Sequence, residues 1–237
     1  MSWHEDDYED DSYYYEQEAR LDAARAEELR LMAEAPVFDY LATYGDAIEE
    51  RIKHCLTEAE ALARDGYHDA ALTRAASGME VTIRFFLARP LVQGAFLSRD
   101  WANVLTKRLL SGRTAEDREL LPMILRNWEI DITQVPLADG SQAWEQIVRR
   151  VWPRRNDYVH KADEGSVQDA ALAIKCLTTL LTQVVDPLAT RLGFTREQTG
   201  AWSVVAHKNP CLNPRGWNGT YARRDPFTPA KTEPPEC

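Results

Sequence analysis

Apolar side chains recur at helical spacing along almost the whole chain, and the breaks between these runs predict the elements. Leu21, Ala24, Leu29, Leu31 and Met32 keep the period from about residue 17 up to Pro36, where a boundary is predicted. Over 37–65, Phe38, Leu41, Tyr44, Ile48, Ile52, Cys55, Leu56, Ala59 and Leu62 step by three and four, which predicts a helix with one core face. Gly66 ends it as a C-cap glycine would. A third helix over 67–88 places Leu72, Ala75, Ala76, Met79, Ile83, Phe86 and Leu87 on a buried stripe before Pro90, with Thr73, Ser77, Glu80 and Arg84 in a polar line on its flank.

The middle is less regular. Short helices are predicted over 99–110 and 115–127, separated by Gly112, and 131–140 reads as a loop from Pro136 and Asp139-Gly140. Together, 95–140 form a helical insertion between core helices. Ser141 is placed to cap a helix whose apolar face is Trp144, Ile147, Val148 and Val151 or Trp152. Pro153 should kink or finish that helix close to residues 154–160. Residues 162–165 form a short turn, and Ser166 with Asp169 is a capping-box-like start. The helix that follows carries Val167, Ala170, Ala171, Ile174, Leu177, Leu180, Leu181, Val184, Val185 and Leu188, the strongest periodicity in the chain, with Pro187 able to bend it and Gly193 closing it. The fold class is therefore all-α.

The ends differ from this body. Residues 1–18 hold eight acids and no lysine or arginine around the run Tyr13-Tyr14-Tyr15, too charged and too poor in aliphatics to fold alone, so a disordered acidic tail is expected. Two roles are open for it: a solvating extension, or a polynucleotide mimic that occupies a basic cleft. Residues 195–237 carry half of the prolines, mixed with Lys208, Arg215, Trp217, Tyr221, Arg223, Arg224, Phe227 and Lys231. This arm cannot be regular helix; it either packs over the body by its aromatics or offers a basic-aromatic strip to nucleic acid. The expected domains are thus a tail at 1–18, a helical domain at 19–194 and an arm at 195–237.

Composition changes this picture little. With 237 residues and 44% apolar content the chain can bury a sizeable core. No run of 18 apolar residues and no basic-then-apolar leader is present, so the expectation is a cytoplasmic protein without a membrane partner. The net charge of −10 is concentrated in the tail: residues 19–237 hold 28 basic against 30 acidic side chains, which neither favours nor excludes a nucleic-acid partner. Cys55, Cys176, Cys211 and Cys237 lie far apart and are not spaced with the five histidines as zinc ligands. Neither a metal site nor a cofactor is expected, and Cys55 and Cys176 read as buried thiols.

The candidate chemistry lies at Arg154-Arg155-Asn156-Asp157-Tyr158-Val159-His160. A guanidinium is always charged and can fork onto phosphate oxygens, and an imidazole exchanges protons near neutrality. On a straight helix Arg155 and His160 would sit about 140° apart, whereas Asn156 and His160 would share a face. A bent or frayed terminus would let all three converge. Upstream, Glu80 precedes Arg84 by four residues, a spacing shared with Glu16/Arg20, Glu49/Lys53, Glu60/Arg64 and Glu145/Arg149. Its apolar setting of Met79, Val81, Ile83, Phe85, Phe86 and Leu87 predicts that this pair is partly buried.

Arg155-x4-His160 with Asn156 after the arginine, the Glu80-x3-Arg84 pair, and the order helix, motif, turn, long helix resemble the HEPN superfamily over roughly 37–192. The resemblance implies a helical bundle that dimerises so that two motifs form one composite site, and a metal-independent endoribonuclease. His160 would act as general base or acid, Arg155 would stabilise the phosphorane, Asn156 would orient the phosphate or imidazole, and Glu80 and Arg84 would support them. It also implies RNA as partner, no cofactor, and a setting in toxin-antitoxin or antiphage defence with an antitoxin or sensor protein. HEPN toxins paired with nucleotidyltransferase antitoxins often carry a tyrosine two residues after the histidine; Ala162 stands here, so regulation by modifying that tyrosine is not implied. The alternative is a non-catalytic dimeric module that binds RNA, a nucleotide or a protein, in which Arg155 pairs with an acid such as Asp157 or Glu164 and His160 caps the helix end.

Overall fold

A computed structural model of the chain describes residues 6–90, 115–126, 128–161, 164–196, 202–204 and 227. Helix α1 (Asp6–Arg64) joins the first two expected helices into one 59-residue rod, about 88 Å long at 1.5 Å per residue. Pro36 lies inside it and is not a boundary. The ring fixes a φ that a helix already uses, and the helix formers from Leu31 to Ala35 carry the backbone across one missing hydrogen bond. The rod also begins earlier than expected, within the acidic segment, where acids near a helix start complement its dipole. Over 15–24 every side chain is exposed, whereas Val37 and Phe38 are buried.

From there α1 is a core helix. Val37, Phe38, Leu41, Ile48, Ile52, Cys55 and Ala59 are almost fully buried. Gly66 (φ 86°) closes the helix as expected: the Tyr67 amide donates to the Leu62 carbonyl at 2.8 Å and the Gly66 amide to Ala63 at 3.3 Å, the paired bonds of a Schellman cap. The three-residue turn sends α2 (His68–Val81) back along α1. Its buried stripe of Leu72, Ala75, Ala76 and Met79 continues through Ile83, Phe86 and Leu87. At Gly78 three helices approach closely: a Cβ there would lie 2.6 Å from a Leu177 methyl and 3.1 Å from the Cys55 Cβ.

Among the described residues the remaining α-helices are α3 (Ala115–Arg126), α4 (Ala143–Gln146), α5 (Trp152–Lys161), α6 (Val167–Leu180) and α7 (Asp186–Arg191). Segments Thr82–Ala88, Ile147–Val151 and Leu181–Val185 are π-helical and run directly on from α2, α4 and α6. Each ends two residues before a proline: Pro90, Pro153 and Pro187. Proline removes one amide donor and crowds the carbonyl four residues earlier, and a wider turn upstream relieves that crowding without breaking the rod. The expected break at Pro153 is therefore displaced upstream, and the motif itself stays in regular α-helix.

The α6 rod is the third wall of the core. By length and composition alone Val167–Arg191, mean hydropathy 1.3, could cross a membrane. Here Ala173, Cys176, Leu177, Leu180, Val184, Val185 and Leu188 are buried against α1 and α2, as in a core helix. The all-α expectation holds, with one addition. A short antiparallel ribbon pairs β1 (Phe194–Arg196) with β2 (Trp202–Val204) across the 194/195 boundary, and Phe194 stacks on Phe38 with ring centres 5.0 Å apart. Within the insertion α3 matches its expected range, and Leu121, Leu125, Ile132, Val135 and Leu137 tie it to the core. Ser141 does not cap α4. Its hydroxyl donates to Asp139 at 2.6 Å, so the cap position falls to Gln142. The expected helix over 99–110, the turn residues 162 and 163, and most of the C-terminal arm lie outside the described residues.

Candidate active site

The site is built on the corner between α5 and α6, and Arg154 holds that corner. Its Nε donates to Asp169 Oδ2 at 3.2 Å and its Nη2 to the Glu164 carbonyl at 2.8 Å. Asp169 is also the third residue of α6, where it forms the expected capping box: its amide donates to the Ser166 hydroxyl at 3.1 Å, and its carboxylate accepts from the Ser166 amide at 3.4 Å and from the same hydroxyl at 2.8 Å. Burial alone would raise the Asp169 pKa, but the bonds from Ser166 and Arg154 outweigh it and hold the carboxyl below its ordinary value. The Gly165 amide donates to the Asp69 carboxylate, which fastens the corner to the start of α2; a Cβ on Gly165 would collide with Asp69.

Arg155 is engaged differently. Its side chain is 27% exposed; Nη1 donates to Asn156 Oδ1 at 3.1 Å, and Nη2 lies 3.8 Å from Glu80 Oε1 on α2. Its Nε is buried with no acceptor among the described residues. A guanidinium has five N–H donors, and among the described residues only one of these makes a hydrogen bond. The acid partner is thus Glu80, neither Asp157 nor Glu164. Asp157 pairs instead with Lys161 at 2.8 Å, and that hydrogen bond holds its carboxyl below the usual range despite a small opposing effect of desolvation.

Two expectations are corrected at this point. Arg84 is exposed, with its guanidinium over the Phe85 ring, and it does not pair with Glu80. The π-helical turns begin at Thr82, and their wider spacing removes the four-residue alignment between positions 80 and 84. Arg155, Asn156 and His160 also do not converge within one chain. All three lie in the regular helix α5, so Arg155 faces α2 while His160 is exposed in the last turn about 140° away and about 7.5 Å along the axis. No hydrogen bond or ion pair to His160 is found among the described residues. The structure thus brings Glu80, Arg155 and Asn156 together and leaves Arg84 and His160 on open surface.

Sequence reasoning missed the roles of Arg154, Asp69 and Gly165. The capping box was legible, but nothing in the sequence shows that Arg154 reaches fifteen residues forward to it, because that depends on the path of the turn. No protein-family model matches the chain, and neither curated proteins nor solved structures yield a match. Among the described residues no group of three or more His, Cys, Asp or Glu side chains is placed to hold a metal ion. Cys55 and Cys176 are buried free thiols, and burial pushes the Cys176 pKa up to about 12. A cleft of about 300 Å³ between Glu119, Trp144, Glu145 and Arg149 includes none of the motif residues.

Proposed function

We propose that this chain is a metal-independent endoribonuclease of HEPN type that works as a homodimer. The observation that carries the reading is the contrast between two adjacent arginines. Arg154 is committed to the α5–α6 corner, whereas Arg155 sits on the same rigid element with most of its donors unused among the described residues. Such a guanidinium is suited to an incoming phosphate.

The separation of Arg155 from His160 supports the dimer. One chain presents the two groups on different sides of α5, so a phosphate that meets both is best served by two copies related by a twofold axis. Val159, 47% exposed and next to His160 in sequence, and Val167, 56% exposed at the start of α6, add apolar surface to such a contact. In the reaction, one His160 takes the proton of the 2′-hydroxyl as its oxygen bonds to phosphorus. Arg155 balances the charge on the phosphorane, and Asn156 orients Arg155 or the phosphate. The bond to the 5′-oxygen then breaks, and that oxygen takes the proton that His160 has accepted. The products are a 2′,3′-cyclic phosphate and a 5′-hydroxyl. Glu80 positions Arg155 from the neighbouring helix. Restricted RNA cleavage suits a toxin-antitoxin or antiphage role in the cytoplasm, with an antitoxin or sensor protein as regulator.

One observation favours the second reading, a non-catalytic dimeric module that binds RNA, a nucleotide or a protein. Glu80 partly neutralises Arg155, and no described side chain orients His160. Incubating the pure protein and a His160→Ala variant with total RNA in EDTA separates the two. Cleavage by the parent alone supports the nuclease; RNA bound equally by both and cut by neither supports the module.

A further inference from the structure

Four residues from three parts of the chain alternate guanidinium and aromatic groups. The Arg84 guanidinium carbon lies 5.8 Å from the centre of the Phe85 ring, Phe85 meets Phe227 edge to face with centroids 4.9 Å apart, and Arg51 of α1 covers Phe227 at 5.6 Å. Arg51 and Arg84 are exposed, and both rings are only partly buried. Neither guanidinium has an ion-pair partner among the described residues.

A cluster that served packing alone would bury its rings and pair its cations with carboxylates. This one packs both rings against the core while leaving each partly accessible, beside two guanidinium groups with no carboxylate partner among the described residues. Unpaired nucleobases stack on aromatic and guanidinium planes while their phosphates meet the cations, and the chemistry is sequence-tolerant because every base has a π-face. Duplex RNA keeps its bases stacked inside and cannot use such a surface. The location fits as well. Arg84 lies four residues beyond Glu80 on the same continuous rod, and Glu80 contacts Arg155.

We infer that Arg84, Phe85, Phe227 and Arg51 form a stacking subsite for an unpaired base of single-stranded RNA, next to the phosphate that Arg155 holds. The inference rests on the ribonuclease reading and adds to it a substrate class, single-stranded over duplex RNA.

The test is equilibrium binding of a fluorescein-labelled single-stranded RNA and of a blunt duplex RNA to the full-length protein. All samples carry His160→Ala, so that no substrate is lost. Phe85→Leu, which keeps the ring's apolar bulk but not its π-face, should weaken single-strand binding about tenfold, the loss of one stacked base. Phe85→Trp should restore it, and duplex binding should not change. Arg51→Ala, at an exposed position that leaves both rings in place, should also weaken single-strand binding selectively, and it keeps the test sound if Phe85→Leu lowers the melting temperature. Parental single-strand affinity in both Phe85→Leu and Arg51→Ala overturns the subsite while leaving the ribonuclease reading intact. A parent that neither binds nor cleaves RNA defeats that reading and the subsite with it.

Discussion

Arg155 of α5 and Glu80 of α2 face each other across the helix interface, with Nη2 and Oε1 3.8 Å apart. Glu80 is 46% exposed, so the pair adds little to stability, of the order of 0–1 kcal/mol for exposed ion pairs. Its effect is on where the guanidinium rests. Glu80→Gln keeps the shape and removes the charge, and it should lower kcat/KM for RNA cleavage about tenfold while shifting the melting temperature by no more than a degree or two. A large thermal shift with unchanged kinetics would show that Glu80 serves the fold.

The two adjacent arginines should separate cleanly in parallel assays. Arg154→Ala removes two hydrogen bonds at the α5–α6 corner and should cost about 2 kcal/mol in chemical denaturation. Arg155→Ala removes one hydrogen bond and a loose ion pair; it should leave stability within about 1 kcal/mol and reduce cleavage about 100-fold or more.

If each cleavage site draws Arg155 from one copy and His160 from the other, inactive variants should complement. Arg155→Ala and His160→Ala proteins, each inactive alone, should regain measurable cleavage after they are mixed and allowed to exchange subunits. Exchange demonstrated by mass, with no return of activity, would place both groups in a site formed by one chain.

Asp169 gives the fold an acid limb. Its pKa is held below the unfolded value of about 3.9, so its stabilising contribution is complete above that value and is lost as pH falls through the depressed folded pKa. Asp169→Asn should therefore melt below the parent at pH 7, by an amount near the 1 kcal/mol of a lost helix cap. The gap should close as the pH drops below about 4. A gap that is constant from pH 7 to pH 3 would assign the loss to packing.

Much of this arrangement was legible in the chain because it is local. The stripes of α1, α2 and α6, the glycine cap at Gly66 and the Ser166/Asp169 capping box depend on residues within one or two turns of each other, and the structure has them where the periodicity put them. Prolines are a poor guide to the ends of these helices, because a long rod carries the single missing donor at Pro36 and widens the turn before Pro153. The same widening from Thr82 onward carries Arg84 off the face that a regular four-residue repeat would share with Glu80. Contacts between distant segments had no local signal at all. The reach of Arg154 to Asp169, the choice of Glu80 as partner for Arg155, and the seat of Phe227 on Phe85 are set by how helices cross.

The central claim is that a 2′-hydroxyl attacks its own phosphate with His160 and Arg155 in attendance, and one substrate tests it directly. A labelled RNA that the protein cuts at a mapped bond is remade with a single 2′-O-methyl group on the nucleotide 5′ to that bond, and both forms are incubated in EDTA. Cleavage of the unmodified RNA to a 2′,3′-cyclic phosphate and a 5′-hydroxyl, with the methylated bond left intact and no cleavage by His160→Ala, is the predicted result. Scission of the methylated bond, products with a 3′-hydroxyl and 5′-phosphate, or no RNA cut at all would contradict it.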